Sequence, residues 1–140
     1  MIGTALEIAW KAHEGQKDKG GKPYIRHPLS VAAQMDTEEE ITTALLHDVV
    51  EDSDYTFEDL EAAGFPERVM EALRLLTHDD DTDYFEYVRK LRENDLARKV
   101  KLADLAHNSR EDRLGRNPTE EDWKRLEKYA AARKILEEES

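Results

Sequence analysis

Apolar positions along the chain recur every three to four residues, and short polar segments containing Gly or Pro interrupt them. Ala5, Leu6, Ala9, Trp10 and His13 form one helical stripe that stops at Gly15. Residues 15–28 hold Gly20, Gly21 and Pro23 and read as a loop, with Pro28 suited to the first turn of a short helix reaching about Met35. The spacing next predicts a helix over 37–50. Thr37 serves as its N-cap, and Glu38, Glu39 and Glu40 complement the dipole. Thr56 with Asp59 has the form of a capping box for a short helix ended by Gly64. Helices over 66–77, 84–92, 96–108 and 119–138 complete the set, the last two separated by Gly115 and Pro118. No segment alternates long enough to make a strand, and no internal repeat is present. The expected fold is all-α, a compact bundle of about seven or eight helices forming one domain over residues 1–140.

Charge narrows the function. The chain has 33 acidic and 21 basic residues among 140, a formal net charge of −12. A polyanion is repelled by that surface at long range, which argues against nucleic-acid or anionic-membrane binding. With no Cys, disulfides, thiolate metal sites and a cysteine nucleophile are excluded. No apolar run approaches the ~18 residues of a membrane span, and the N-terminus lacks the pattern of a signal peptide, so a cytoplasmic location is the expectation.

Three segments bear groups capable of chemistry. In Leu45-Leu46-His47-Asp48-Val49-Val50-Glu51-Asp52, a continuous helix would set His47/Glu51 and Asp48/Asp52 at i, i+4 opposite the apolar rows. Burying four ionisable groups together is costly unless a cation or mutual hydrogen bonding compensates them. Taken alone, the segment also reads as a solvated helix face. His27 stands at a loop-to-helix junction before Pro28, and Asp104, His107 and Asn108 share one face of a later helix. His27, His47, Asp48 and Asp104 then offer two imidazoles and two carboxylates, a donor set suited to manganese, iron or zinc. Taken singly, His27 also reads as a loop histidine bonded to backbone and Asp104 as the partner of Lys101.

These residues resemble the H…HD…D pattern of the HD-domain metal-dependent phosphohydrolases. Ala12-His13-Glu14-Gly15-Gln16, the Pro23-Tyr24-Ile25 and His27-Pro28-Leu29 segments, His47-Asp48 with Glu51-Asp52, and Lys101-Leu102-Ala103-Asp104 with His107-Asn108 look like the hydrolase domain of RelA/SpoT-type proteins, including their small stand-alone forms. The resemblance spans roughly residues 5–110. It implies a Mn2+ ion (Fe2+ or Zn2+ as alternatives) held by His27, His47, Asp48 and Asp104. It also implies that Glu51 and Asp52 activate water and manage protons at the leaving group. Lys17, Lys19, Tyr24 and Asn108 are the candidate substrate-binding residues, Asn108 at the nucleotide sugar. The implied reaction is removal of pyrophosphate from the 3′ position of (p)ppGpp, the stringent-response alarmone, by a monomer or homodimer. Without the synthetase and regulatory domains of long family members, a hydrolase activity alone is expected.

A local excess of positive charge agrees with an anionic substrate. Over 11–26, Lys11, Lys17, Lys19, Lys22 and Arg26 stand against Glu14 and Asp18, a net +3 running into His27. Asp18, however, occupies the position where the family commonly has an Arg that stacks on guanine, and an aspartate cannot stack on a purine. A phosphatase of another nucleotide or dinucleotide, or a nucleotide-sensing module without turnover, is the alternative. The intact Glu51-Asp52 pair favours an enzyme. Asp79-x-Asp81-x-Asp83 begins like a calcium loop, but Tyr84 and Lys90 occupy positions that need Gly and Glu. His78 is expected in solvent, on a loop able to cover the site. Trp123, Leu126, Ala130 and Arg133 read as a core stripe, with a dimer contact as the lesser reading. Tyr84, Phe85 and Tyr87 read as core aromatics.

Overall fold

Local sequence sets most of the helix ends in the computed structural model, which describes residues 1–113 and 119–138. The helices are α1 (Ile2–Ala12), α2 (Arg26–Ala32), α3 (Glu38–Leu46), α4 (Val49–Asp52), α5 (Phe57–Ala62), α6 (Glu67–Leu76), α7 (Tyr84–Leu91), α8 (Asp95–Arg113) and α9 (Glu120–Glu137). Capping boxes start three of them: Thr37 with Glu40, Thr56 with Asp59 and Thr119 with Asp122. In each, a threonine oxygen accepts one orphan N–H while the acidic partner accepts another. Gly64, at φ +90°, ends the α5 segment in a conformation that a Cβ would strain. Among the described residues there is no sheet, and extended pairing is confined to one isolated bridge between Lys17 and Pro23. The all-α expectation holds. Gly115 and Pro118 lie outside the described residues.

One predicted helix is two. Residues 47–48 form a turn between α3 and α4, so the expected helix over 37–50 breaks at the His-Asp dipeptide. The physical reason is packing on all sides. α3 touches α1, α2, α6 and α8, and Thr42 through Leu46 are consecutively buried. Burial continues across the break, through His47 and Val49.

Apolar side chains gather in two clusters that share α3 and α6. One joins Val31, Ala44, Leu76, Val88, Leu91, Val100, Leu105 and Leu136 from α2, α3 and α6–α9. The other joins Ala5, Ala9, Leu45, Leu46, Val49, Leu60, Met70 and Leu73 around α1 and α5. Between them they fix α2, α3 and α8 side by side.

Two expected stripes shift at their edges. In α1 the inward face is Ala5, Ala9 and Ala12, while Trp10 is 58% exposed. In α9 the buried positions are Asp122, Leu126, Ala132 and Leu136, and Trp123 is 56% exposed. Of the predicted α9 core stripe only Leu126 is buried; Trp123, Ala130 and Arg133 face outward. The capping box turns Asp122 inward, and the next residue is then rotated about 100° toward solvent.

Candidate metal and catalytic site

The turn after α3 places the first candidate ligand. His47 Nδ1 lies 2.6 Å from the Ala44 carbonyl oxygen. A carbonyl can only accept, so Nδ1 carries a proton and Nε2 is the nitrogen turned toward Asp48 and Asp104. That Nε2 is buried with no partner of hydrogen-bonding geometry, although Asp48 Oδ2 and Asp104 Oδ1 lie 3.1 Å and 3.4 Å away. His27, on the first turn of α2, sets its Nε2 2.7 Å from Asp104 Oδ1 and 3.6 Å from Asp48 Oδ2. One donor atom from each of His27, His47, Asp48 and Asp104 falls within a 4.8 Å span. Neighbouring ligands around a divalent ion, each roughly 2.1 Å from it, are spaced by about 3 Å. The buried imidazole nitrogen without a hydrogen-bond partner and this spacing fit a divalent ion, and two nitrogens with two oxygens suit manganese, iron or zinc. Among the described residues, the four candidate ligands read from the sequence lie together.

Other side chains hold those ligands. The Tyr24 hydroxyl donates to Asp48 Oδ2 at 2.7 Å, and Asn108 Nδ2 donates to Asp104 Oδ1 at 3.2 Å. Tyr24 and Asn108, expected at the substrate, thus engage the carboxylates of the candidate ligands Asp48 and Asp104. Lys101 Nζ lies 2.9 Å from Asp104 Oδ2 and faces the Tyr87 and Tyr84 rings at 5.5 Å and 6.0 Å. His27 Nδ1 meets His107 Nδ1 at 2.7 Å. Lys101 was legible only as an i−3 partner of Asp104, and His107 only as a neighbour on the same helix face.

Electrostatics follow from this crowding. Burial works against the charged form of His47, but the Asp48 and Asp104 carboxylates outweigh it and raise its pKa well above the usual value. Burial likewise opposes ionisation of Asp48. The adjacent His47 and His27 prevail and bring it down to about 2. Asp104 is held well below the carboxylate range, its burial overcome by Lys101, His27 and His47. A metal ion binding among these groups has to displace the proton that the carboxylates favour on His47.

Glu51 and Asp52 lie on α4, just past the ligands. Partial burial raises the pKa of each, and Asp48 raises both further. The Glu51 carboxylate accepts the backbone N–H of His78. The Asp52 carbonyl accepts from Gln16 Nε2 at 2.7 Å, while Gln16 Oε1 meets the buried His13 Nδ1 at 2.8 Å. The Ala12–Gln16 segment therefore props the acidic pair from behind. Glu51 and Asp52 line a cleft of about 510 Å³ with Thr77, His78, Asp79 and Asp80. His78 is not in solvent as expected: it is half-buried against Tyr84 and Tyr87, and its Nε2 lies 2.6 Å from the Thr82 carbonyl oxygen. Tyr87 is core, as expected, with its hydroxyl donating to the Leu76 carbonyl at 2.5 Å.

The basic loop is tamer than its sequence. Lys11 pairs with Glu7, Arg26 with Asp18, and Lys19 acts on Asp122. Lys17 and Lys19 are exposed. Asp18 closes the loop. Its Oδ1 accepts the N–H groups of Gly20 and Lys22, both at 2.9 Å, around the positive-φ Gly21.

Comparison with known proteins agrees with this geometry. The HD domain family profile matches residues 5–113. The chain is 39% identical over 119 residues to guanosine-3′,5′-bis(diphosphate) 3′-pyrophosphohydrolase MESH1 of Danio rerio, covering 76% of this chain and 66% of that protein. It is 37% identical over 120 residues to the bifunctional (p)ppGpp synthase/hydrolase SpoT of Escherichia coli K12, where the match spans 17% of the relative. A solved structure, described as a metazoan ortholog of SpoT that hydrolyzes ppGpp, superposes with a TM-score of 0.74 at 32% identity. That superposition covers 96% of this chain and 82% of the other. The chain thus spans about two-thirds of the first relative and a small part of the second. Because the profile match runs from α1 to the end of α8, and so encloses every proposed metal ligand, the chain belongs to the HD-domain family.

Proposed function

We propose that the protein is a divalent-metal-dependent phosphohydrolase that releases pyrophosphate from the 3′ position of (p)ppGpp. The convergence of His27, His47, Asp48 and Asp104 beside the Glu51-Asp52 pair carries this reading. Relatives named as guanosine-3′,5′-bis(diphosphate) 3′-pyrophosphohydrolases, and a structural neighbour described as hydrolysing ppGpp, support it. Manganese is the proposed ion, held by the four converging donors. Bound there, it would supply charge neutralisation at phosphoryl oxygens and a lowered pKa for water.

The chain's own residues do the rest. Glu51 takes a proton from the attacking water, its raised pKa bringing it nearer to working pH as a base. The new bond forms between the water oxygen and phosphorus while the bond from phosphorus to the ribose 3′-oxygen breaks. Asp52, likewise raised, returns a proton to that leaving oxygen. Lys17 and Lys19 hold phosphates from the exposed loop, and Asn108 and Tyr24 border the nucleotide while fixing Asp104 and Asp48. Positioning and electrostatics suffice for phosphoryl transfer, so no side-chain nucleophile is needed. Alarmone turnover in the cytoplasm is the proposed role. Among the described residues no helix is long and apolar enough to cross a membrane.

One observation favours a second reading of the base pocket: Asp18 is committed to its loop and to Arg26. The test is a manganese-dependent turnover panel of ppGpp, pppGpp, an adenine analogue, NADPH and simple nucleoside phosphates, with products separated by anion exchange. Selective pyrophosphate release from ppGpp is the expected result. Turnover of another member alone reassigns the substrate, and silence from metal-loaded protein overturns the proposal.

A further inference from the structure

We infer that His107 is a positioning residue whose Nδ1 accepts the Nδ1–H of His27 in the metal-loaded protein, so that His27 Nε2, which meets Asp104 Oδ1 in this structure, is the nitrogen offered to the ion. The inference rests on the proposed metal-binding role of the site and deepens it. The two Nδ1 atoms are 2.7 Å apart, both rings are buried, and their planes are inclined by 29°. The centroid separation of 4.9 Å exceeds the N–N distance by about two ring radii. Each nitrogen therefore lies close to the line joining the ring centres, so this is an end-on hydrogen bond and not a face-to-face stack.

One proton fits between two nitrogens, and its ownership decides the chemistry. A metal-ligating imidazole needs a bare nitrogen toward the ion, and its other nitrogen then carries hydrogen and needs an acceptor. His47 meets that need with the Ala44 carbonyl. At His27 the group opposite Nδ1 is a second imidazole, which can accept only in the tautomer with hydrogen on Nε2. Burial keeps water from substituting readily. His107 follows Asp104 by one turn of α8, so a single helix supplies both the carboxylate 2.7 Å from His27 Nε2 and the acceptor for His27 Nδ1. Eighty residues of sequence separate the paired histidines, and no local motif could reveal the bond.

The test compares His107→Gln, whose amide oxygen can accept, with His107→Phe, which keeps a flat ring and cannot. Manganese binding to chelator-stripped protein is measured by calorimetric titration, with circular dichroism as the folding control. His107→Phe is expected to weaken binding roughly 10- to 100-fold, with His107→Gln restoring most of the affinity. Wild-type affinity in His107→Phe overturns the inference, as does equal loss in two folded variants. If His107→Phe does not fold, histidine nitrogen NMR of the zinc-loaded wild type decides. Hydrogen on His27 Nδ1 with a bare His107 Nδ1 supports the inference, and hydrogen on His107 Nδ1 overturns it. A wild-type protein that binds no divalent ion would sink the proposed function itself, and that outcome is distinct from metal binding insensitive to His107.

Discussion

Lys101→Met isolates the buried charge that balances Asp104. The substitution keeps the apolar stem against Tyr84 and Tyr87 and removes the ammonium 2.9 Å from Asp104 Oδ2. At that distance the gross attraction is about 6 kcal/mol for an effective dielectric near 20. Desolvation of both ions offsets much of it, since their side chains are 14% and 7% exposed. What removal leaves is a stranded carboxylate, which in comparable buried pairs costs about 3–5 kcal/mol. His47, held protonated by the same carboxylates, retains part of the compensation, so the expected loss is at the lower end, about 3 kcal/mol. For a domain of this size that corresponds to a fall in Tm of roughly 10 °C. The assay is urea unfolding of chelator-treated protein at pH 7, repeated with saturating manganese. Bound metal should shrink the difference, because it supplies positive charge to the same carboxylate. A loss below about 1 kcal/mol without metal would place the pair in the solvent-exposed class and refute the reasoning.

Further outcomes follow from the same geometry. Glu51→Gln is expected to lower kcat roughly 10²- to 10⁴-fold with manganese affinity retained. The acid limb of the wild-type kcat/KM profile, which follows the base Glu51, should lie above the ordinary glutamate value of 4.5. Tyr24→Phe removes a hydrogen bond to an ionised carboxylate and should cost about 1.5–3 kcal/mol of stability, read by chemical denaturation. Asp48, depressed from 3.8 to about 2 in the folded protein, contributes stability that is present above pH 3.8. That contribution is lost as pH falls through about 2, and Asp48→Asn should flatten the acid limb of an unfolding series run without metal. Thr37→Ala, which removes one capping box far from the ligands, should cost about 1 kcal/mol and leave manganese affinity unchanged by titration.

What the sequence determined by itself was local. The 3.6-residue period of apolar positions, the threonine caps and the glycine stops specified most helices to within a few residues of their observed ends, the helix over 37–50 excepted, because those signals act within one or two turns. The ligand residue types were legible too, since two imidazoles and two carboxylates near apolar rows suit a divalent ion.

Tertiary structure decided how those groups are aimed. The break at 47–48 arises because α3 is enclosed by four other helices, a crowding that periodicity does not encode. Trp123 turns outward because a capping carboxylate takes the inward position. Asp18, read as a lost base contact, has a structural task in the loop that only its backbone partners disclose. The contacts that orient the ligands, Tyr24 to Asp48 and His107 to His27, join segments 24 and 80 residues apart. Sequence spacing reports which side chains share one element, whereas the meeting of faces from different elements depends on how the whole core packs.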